Sequence, residues 1–347
     1  MNKHLLIHNP GITERGDSEN CRSISRFLGQ YFGISTSLTA PISGKNNDDT
    51  VRELSSEGHD VYLYRSNKDL VDFAKSRDAN YALWVHSGIY HGHWIPNIPN
   101  LVYSVFNNFE PYGDNYNYVS HWLWREAIRR KNTGSAEIIE SDYLDTLSPY
   151  RVDFGMKTGW VPHAVRAQEG DGDWLRSRLG ISKDAFVIGR IGGFEEFSDI
   201  AAQMAVKELV DKHELFFVFV NTRPFYIHPR IFYLPKIKRI EKWDFYAACD
   251  LLLNGRLMGE SFGFGIIEAL SLGKPILAPS KERNLLMDKN HIGILEPLNL
   301  LYRNSDELVR KVILIRASEI KVNELIHAAK DYSDENVARK FVEEFAL

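Results

Sequence analysis

Short apolar runs alternate with stretches of helical periodicity almost from end to end of the chain. This is the pattern of an α/β protein with parallel sheets. In the first half LLIH (5–8), DVYLY (60–64), YALWVH (81–86) and LVYSVF (101–106) predict strands. NYVS (117–120) predicts a shorter strand that runs into a helix starting near His121. Ile24, Phe27, Leu28 and Tyr31 share one face of a helix over 19–32. WVPHAV (160–165) then meets RAQEGDGD (166–173), a polar run that reads as a linker. Beyond it AFVIGRI (185–191), LFFVFV (215–220), LLLN (251–254) and PILAP (275–279) predict a second α/β series. Ser305-Asp306-Glu307 opens a helix to about Ala317, and the tail from Asp334 is amphipathic again.

The length agrees with two cores, since 347 residues exceed what one core usually organises. The predicted domains are 1–165 and 173–330, followed by a helical tail over 331–347. A formal net charge of -4 and the lack of any Lys/Arg block argue against nucleic acid as a partner. Cys21 and Cys249 make neither a disulfide framework nor a zinc site, and are expected as free thiols in a reducing cytosol. The apolar runs are shorter than a signal peptide or a membrane span requires. The expectation is a cytoplasmic protein, with peripheral membrane contact left open. Composition says nothing about oligomeric state.

In open parallel sheets ligands gather beyond the carboxyl ends of the strands, here in an expected cleft between the domains. The most informative such place is DLLLNGRLMGESFGFGIIEALSLGKPILAPS, residues 250–280. It reads as strand, glycine-rich turn, helix, glycine stop and strand. Gly263 and Gly265 let the backbone approach a ligand closely. The helix begins near Phe264, and its unpaired N–H groups and dipole suit a phosphate without a metal. Gly273 fits the helix C-cap, and Pro275 cannot continue the helix. Glu268 lies one turn in, and its side chain leans back toward the phosphate-binding end, where it can accept from a sugar diol. Glu260, eight positions earlier, can accept from a second set of hydroxyls. A phosphate flanked by two carboxylates suits a nucleotide sugar. The bland alternative is a helix whose early Glu only complements the dipole.

This segment resembles the signature of retaining GT-B glycosyltransferases, especially the large family 4, where E-G-F-G…E-A…G-x-P-V recurs. VSHWLWREA (119–127), WVPHAV, FVIGRIGG (186–193) and YAACDLLL (246–253) resemble further, weaker motifs of that family. The resemblance implies two facing Rossmann-like domains, the first for acceptor and the second for donor, with the tail packing back on the first. It implies that Glu268 binds ribose hydroxyls and Glu260 the transferred sugar. Backbone around Ser261, Phe262, Gly263, Phe264 and Gly265 would hold sugar and diphosphate, with base contacts near Leu234–Ile237. Arg190 would neutralise the leaving diphosphate. The implied reaction is metal-independent glycosyl transfer with retention, from a UDP-, GDP- or ADP-sugar to a glycan, lipid or small-molecule acceptor, with no cofactor.

The chain departs from that family at two places. Glu195 or Glu196 stands where a Lys usually follows the Arg, and a carboxylate there repels a departing diphosphate. Arg223 and Arg256, which follow the strands LFFVFV and LLLN, are the candidate replacement cations. Phe106, Asn107 and Asn108 stand where the family often has a His, so His86 at the end of the neighbouring strand is the candidate imidazole. These losses keep two alternatives in view: a GT-B-like binding subunit without activity, and a sugar-nucleotide epimerase or hydrolase. Asp171-Gly172-Asp173 imitates a metal-binding D-x-D, but its place in a polar run predicts Asp173 as a helix cap. His86, His91 and His93 lack a carboxylate or cysteine at useful spacing for a metal. The run G-R-I-G-G lacks G-x-G-x-x-G, which argues against a dehydrogenase. Trp122, Trp124, Trp160 and Trp174 are accounted for by packing as well as by sugar stacking.

Overall fold

The computed structural model describes residues 3–14, 16–90, 92, 94–133, 155–239, 241–282, 288–318 and 320–347. The chain divides into two compact units, 1–164 with 332–347, and 165–331. Among the described residues, the first holds a seven-stranded sheet of order β3-β2-β1-β4-β5-β6-β7. Its strands are β1 (His4–His8), β2 (Ser35–Pro41), β3 (Asp60–Tyr64), β4 (Tyr81–His86), β5 (Asn100–Ser104), β6 (Asn115–Tyr118) and β7 (Lys157–Trp160). Every pairing is parallel. Helices α1 (Gly16–Phe32), α2 (Asp48–Ser56), α3 (Asn67–Ser76) and α4 (His121–Thr133) connect them.

Two of these strands are more polar than a buried parallel strand usually is. In β2 Ser37 and Thr39 are buried, and Ser37 donates to Asp60 Oδ2 at 2.6 Å. In β6 Asn115, Tyr116, Asn117 and Tyr118 are all buried. Asn117 Nδ2 donates to Asn115 Oδ1 at 2.8 Å, and Asn115 Nδ2 donates to the Glu344 carbonyl at 2.7 Å. That last partner belongs to the C-terminal helix (Asp334–Phe345), which buries Val337, Ala338, Phe341 and Phe345 and packs on α1 and β6. Phe341 meets Phe27 and Tyr103 edge-on, and Arg26 pairs with Asp334 at 2.8 Å. The tail is thus part of the first unit's core.

Among the described residues, the second unit holds a six-stranded parallel sheet of order β10-β9-β8-β11-β13-β15 and a two-stranded ribbon of β12 and β14. The strands are β8 (Phe186–Ile191), β9 (Leu215–Val220), β10 (Ile231–Leu234), β11 (Leu251–Leu253), β12 (Gly259–Glu260), β13 (Ile276–Pro279), β14 (Asp288–Lys289) and β15 (Leu301–Tyr302). The helices before the tail are α5 (Gly172–Arg178), α6 (Ile200–Lys212), α7 (Glu241–Ala248), α8 (Phe264–Ser271), α9 (Asn290–Leu295), α10 (Ser305–Ala317) and α11 (Val322–Ala329), so the tail helix is α12. The strand order reverses between β8 and β11. Loops leaving such a switch point diverge and open a crevice at the strands' carboxyl ends. Among the described residues, no helix is long and apolar enough to cross a membrane.

The cap of α5 corrects one expectation. Asp171, not Asp173, accepts from Trp174 N, while Asp173 pairs with Lys183. The run around it is not a free linker either. A Cβ on Gly170 would lie 2.2 Å from the Trp243 carbonyl carbon, and one on Gly172 2.5 Å from that of Ala247. The glycines let this segment press against α7, where Asp171 N donates to Asp244 Oδ1 at 2.7 Å. Similarly Asn304, one residue before the expected start, caps α10 through Glu307 N.

Candidate functional site

The turn between β11 and α8 has the form the glycine pattern predicts. Gly263 takes φ 93° and ψ 58°, a left-handed conformation that side chains with a Cβ rarely adopt. No side chain caps α8 and no acidic residue lies in its first turn, so its N-terminal N–H groups carry a partial positive charge. Phe262 is buried, its ring 5.0 Å from that of Phe264, and its carbonyl accepts from Asn290 Nδ2 at 2.9 Å. The turn is anchored on one side while Ser261 stays half-buried. At the other end of α8, Gly273 N donates to the Leu270 carbonyl and Lys274 N to that of Ala269, a Schellman stop with Gly273 at φ 65°.

Glu268, one turn into α8, is buried and held by two residues of α7. Its Oε1 accepts from Lys242 Nζ at 2.5 Å and its Oε2 from the Tyr246 hydroxyl at 2.8 Å. Glu260, at the end of β12, has a separate set of partners. Oε1 accepts from Asn254 Nδ2 at 2.9 Å and Oε2 from Arg256 Nη1 at 3.1 Å. The two carboxylates thus flank the Gly263 turn along the chain, each fixed by donors from neighbouring segments.

Arg190 is the penultimate residue of β8, on the other side of the switch point. Its guanidinium is buried and donates to the Asn221 carbonyl (3.1 Å), Thr222 Oγ1 (2.7 Å) and the Gly193 carbonyl (3.0 Å). Burial lowers its pKa to about 10, against the pull of Glu196 and Glu260, so it stays charged at neutral pH. The two glycines after it make room. A Cβ on Gly192 would lie 2.5 Å from Arg190 Nη2, and one on Gly193 2.6 Å from the Glu196 carboxyl carbon.

The loop after β8 also resolves the two glutamates. Glu196 turns back to accept from Gly193 N at 2.9 Å and approaches Arg256 Nη2 at 3.4 Å. Arg256 therefore stands between Glu196 and Glu260, within ion-pair distance of both. Glu195 points elsewhere and pairs with Arg223 at 3.2 Å, both side chains about two-thirds exposed. The structure separates the two candidate cations: Arg256 joins the Arg190–Glu260 cluster, while Arg223 forms a solvent-exposed pair.

Burial pushes the Glu260 carboxyl up from its usual value of 4.5, opposed first by Arg256 and then by Asn254. A group whose folded value is raised binds its proton more readily in the fold than in the unfolded chain. Its stabilisation is complete below the unfolded value and is lost as pH rises through the folded one. Glu260→Gln removes that loss while keeping an acceptor for Asn254 and Arg256. The melting temperature of Glu260→Gln relative to the parent protein is expected to rise between pH 4 and pH 7. A difference that shrinks or stays flat over that range in a thermal-denaturation series contradicts the assignment.

In the first unit, His86 is engaged at both ring nitrogens. Nδ1 accepts from Gly88 N at 2.8 Å, and Nε2 lies 2.6 Å from the Tyr112 hydroxyl. The Nδ1 acceptor role fixes the proton on Nε2. Both ring nitrogens thus have partners in the first unit, Gly88 and Tyr112. Phe106 is half-exposed beyond β5, and Asn108 Nδ2 donates to the Gly88 carbonyl at 2.5 Å. His91 and His93 lie outside the described residues. Among the described residues, no cluster of three or more His, Cys, Asp or Glu could hold a metal, and both cysteines are buried.

Lys242, Tyr246 and Asn254 are site residues that sequence reasoning did not single out. Lys242 and Tyr246 are four positions apart on α7, spacing that puts them on one helix face. Their partner, however, is remote in sequence.

No known family profile matches the chain, and no curated protein does. Solved structures do match over almost its whole length. A glycosyltransferase from Rickettsia africae is 12% identical with a TM-score of 0.68, covering 99% of this chain and 98% of that one. The Anabaena protein HepE, solved in complex with UDP-glucose, is 13% identical with a TM-score of 0.70, covering 99% of each chain. Sucrose-phosphate synthase from Thermosynechococcus elongatus is 10% identical with a TM-score of 0.68, covering 99% and 98%. The chain therefore has the GT-B fold of glycosyltransferases, built from two Rossmann-like units with parallel sheets.

Proposed function

We propose that this protein is a nucleotide-sugar-dependent glycosyltransferase that retains anomeric configuration, with the donor on the unit 165–331 and the acceptor on the unit 1–164. The observation that carries this reading is the pair of carboxylates, Glu260 and Glu268, flanking the uncapped N-terminus of α8 along the chain. Each carboxylate has two acceptor positions left after its present partners are counted, enough for sugar hydroxyls. Glu268 takes the ribose diol and Glu260 the hydroxyls of the transferred sugar. The N–H groups of the Gly263 turn and α8 take the diphosphate.

In the transfer step the acceptor oxygen bonds the anomeric carbon as the bond from that carbon to the diphosphate oxygen breaks. The hydroxyl proton passes to the leaving phosphate. Negative charge grows on the diphosphate, and Arg190 and Arg256 stand at the switch point to stabilise it, with the helix dipole adding to them. Positioning supplies the rest, without a protein nucleophile. Retention is carried by the likeness of residues 250–280 to the family 4 signature.

The test is a melting-temperature panel with UDP-, GDP- and ADP-glucose, followed by transfer assays on glycan, lipid and small-molecule acceptors. Stabilisation by one base class with transfer is the expected result. If none of the three raises the melting temperature, the nucleotide-sugar reading is wrong. Stabilisation without transfer to any acceptor favours a binding subunit, and donor turnover without acceptor favours an epimerase or hydrolase.

A further inference from the structure

We propose that Lys242 is a positioning residue for the donor site, holding the Glu268 carboxylate in the plane that receives the ribose diol. This rests on the reading of Glu268 as the ribose acceptor. Lys242 and Tyr246 lie on one face of α7 and take one Glu268 oxygen each, at 2.5 and 2.8 Å. The lysine is unusual for its type: its side chain is only 17% exposed, and its ammonium sits 4.8 Å above the centre of the Trp243 ring.

A nearly buried ion pair is a poor way to gain stability, because removing both charges from water offsets most of their attraction. Apolar residues of similar size would serve packing as well. What the pair does supply is geometry. A glutamate in the first turns of a helix can occupy several rotamers, and its terminal torsion is broad. With Tyr246 alone, the carboxylate can still swing about its Cγ–Cδ bond within the slack of a single hydrogen bond. With Lys242 on the other oxygen its plane is fixed, and one acceptor position is left on each oxygen. Two such positions match the two adjacent hydroxyls of a ribose, so the orientational entropy is removed before the nucleotide arrives.

A role in positioning predicts coupling between Lys242 and the ribose hydroxyls, which a role in packing does not. The full-length protein, Lys242→Met and Lys242→Arg are titrated with UDP, GDP and ADP and with the 2′,3′-dideoxy form of each. In the parent protein, loss of the hydroxyls is expected to weaken binding by about 10-fold or more, the scale of hydrogen bonds to a charged group. In Lys242→Met the natural nucleotide binds about 10-fold more weakly, while the dideoxy form binds as in the parent. Lys242→Arg restores most of the hydroxyl dependence. In transfer assays the methionine variant raises donor KM and leaves kcat within about threefold, the signature of lost ground-state binding. Melting curves without ligand establish that the variants fold, and Lys242→Gln replaces methionine if that variant does not. If Lys242→Met or Lys242→Gln keeps the parent's hydroxyl dependence, the positioning role is refuted and the donor reading stands. If the parent binds no nucleotide, or binds natural and dideoxy forms equally, the ribose assignment of Glu268 falls and this role with it.

Discussion

Replacing Glu268 with alanine is expected to abolish the rise in melting temperature that the cognate nucleotide produces. Two hydroxyl contacts to a buried carboxylate are lost together, each worth about 1.5–3 kcal/mol in comparable settings. A combined loss of roughly 3 kcal/mol corresponds to more than 100-fold in affinity. At a ligand concentration near 100 times the parent dissociation constant, the parent gains about 2.7 kcal/mol, and the variant only a few tenths. The variant also leaves Lys242 Nζ and the buried Tyr246 hydroxyl without their carboxylate. A modest drop in the ligand-free melting temperature therefore accompanies the loss, and the comparison is made between shifts, not absolute temperatures. An undiminished shift in Glu268→Ala shows that the ribose lies elsewhere.

The second large effect is expected at Arg256. Its guanidinium stands between Glu196 and Glu260, at 3.4 and 3.1 Å. Arg256→Met leaves two carboxylates beside the proposed diphosphate position, with Arg190 the remaining cation of this cluster. Removing one stabilising group of this kind lowers kcat by about 100- to 1,000-fold in other enzymes. Loss of that order is expected here, larger in turnover than in donor affinity. A charge reversal supplies the control. Glu196→Lys in the Arg256→Met background returns a cation to the loop after β8, where the family 4 pattern has a Lys, and should recover at least 10-fold of the lost turnover. Arg223→Ala, which removes an exposed pair with Glu195, should change turnover by less than about twofold. Equal losses for Arg223→Ala and Arg256→Met, measured as kcat at saturating donor, overturn the distinction between them.

The legibility of these elements in the sequence followed their chemistry. β4, β8, β9 and β13 are inner parallel strands rich in Leu, Ile, Val, Phe and Trp, and they stand out as apolar runs. β2 and β6 are mostly buried too, but carry Ser, Thr and Asn whose partners, such as Asp60 and the Glu344 carbonyl, are remote in sequence. β2 goes unpredicted for that reason, and β6 lies two residues before its expected place. β15, at two residues, carries no periodic signal at all. The cap of α5 was misplaced by two residues because both aspartates suit the role locally. Asp171 takes it because α7 receives its backbone N–H, a contact from 73 residues away.

By itself the sequence determined two Rossmann-like series and the glycine-marked turn into α8. Those features rest on local physics: apolar periodicity, a φ that only glycine takes easily, and a helix stop at Gly273. Only the tertiary structure decided the charges. Lys242 and Glu268 are 26 residues apart, and Glu195 and Arg223 are 28 apart. Whether a carboxylate next to a proposed diphosphate is repulsive, neutralised or turned away depends on which strand ends lie side by side. That is fixed by sheet order, here by the reversal between β8 and β11, and Coulomb interactions of a few ångströms have no signature in a one-dimensional string. The sequence named the carboxylates; the fold chose their partners.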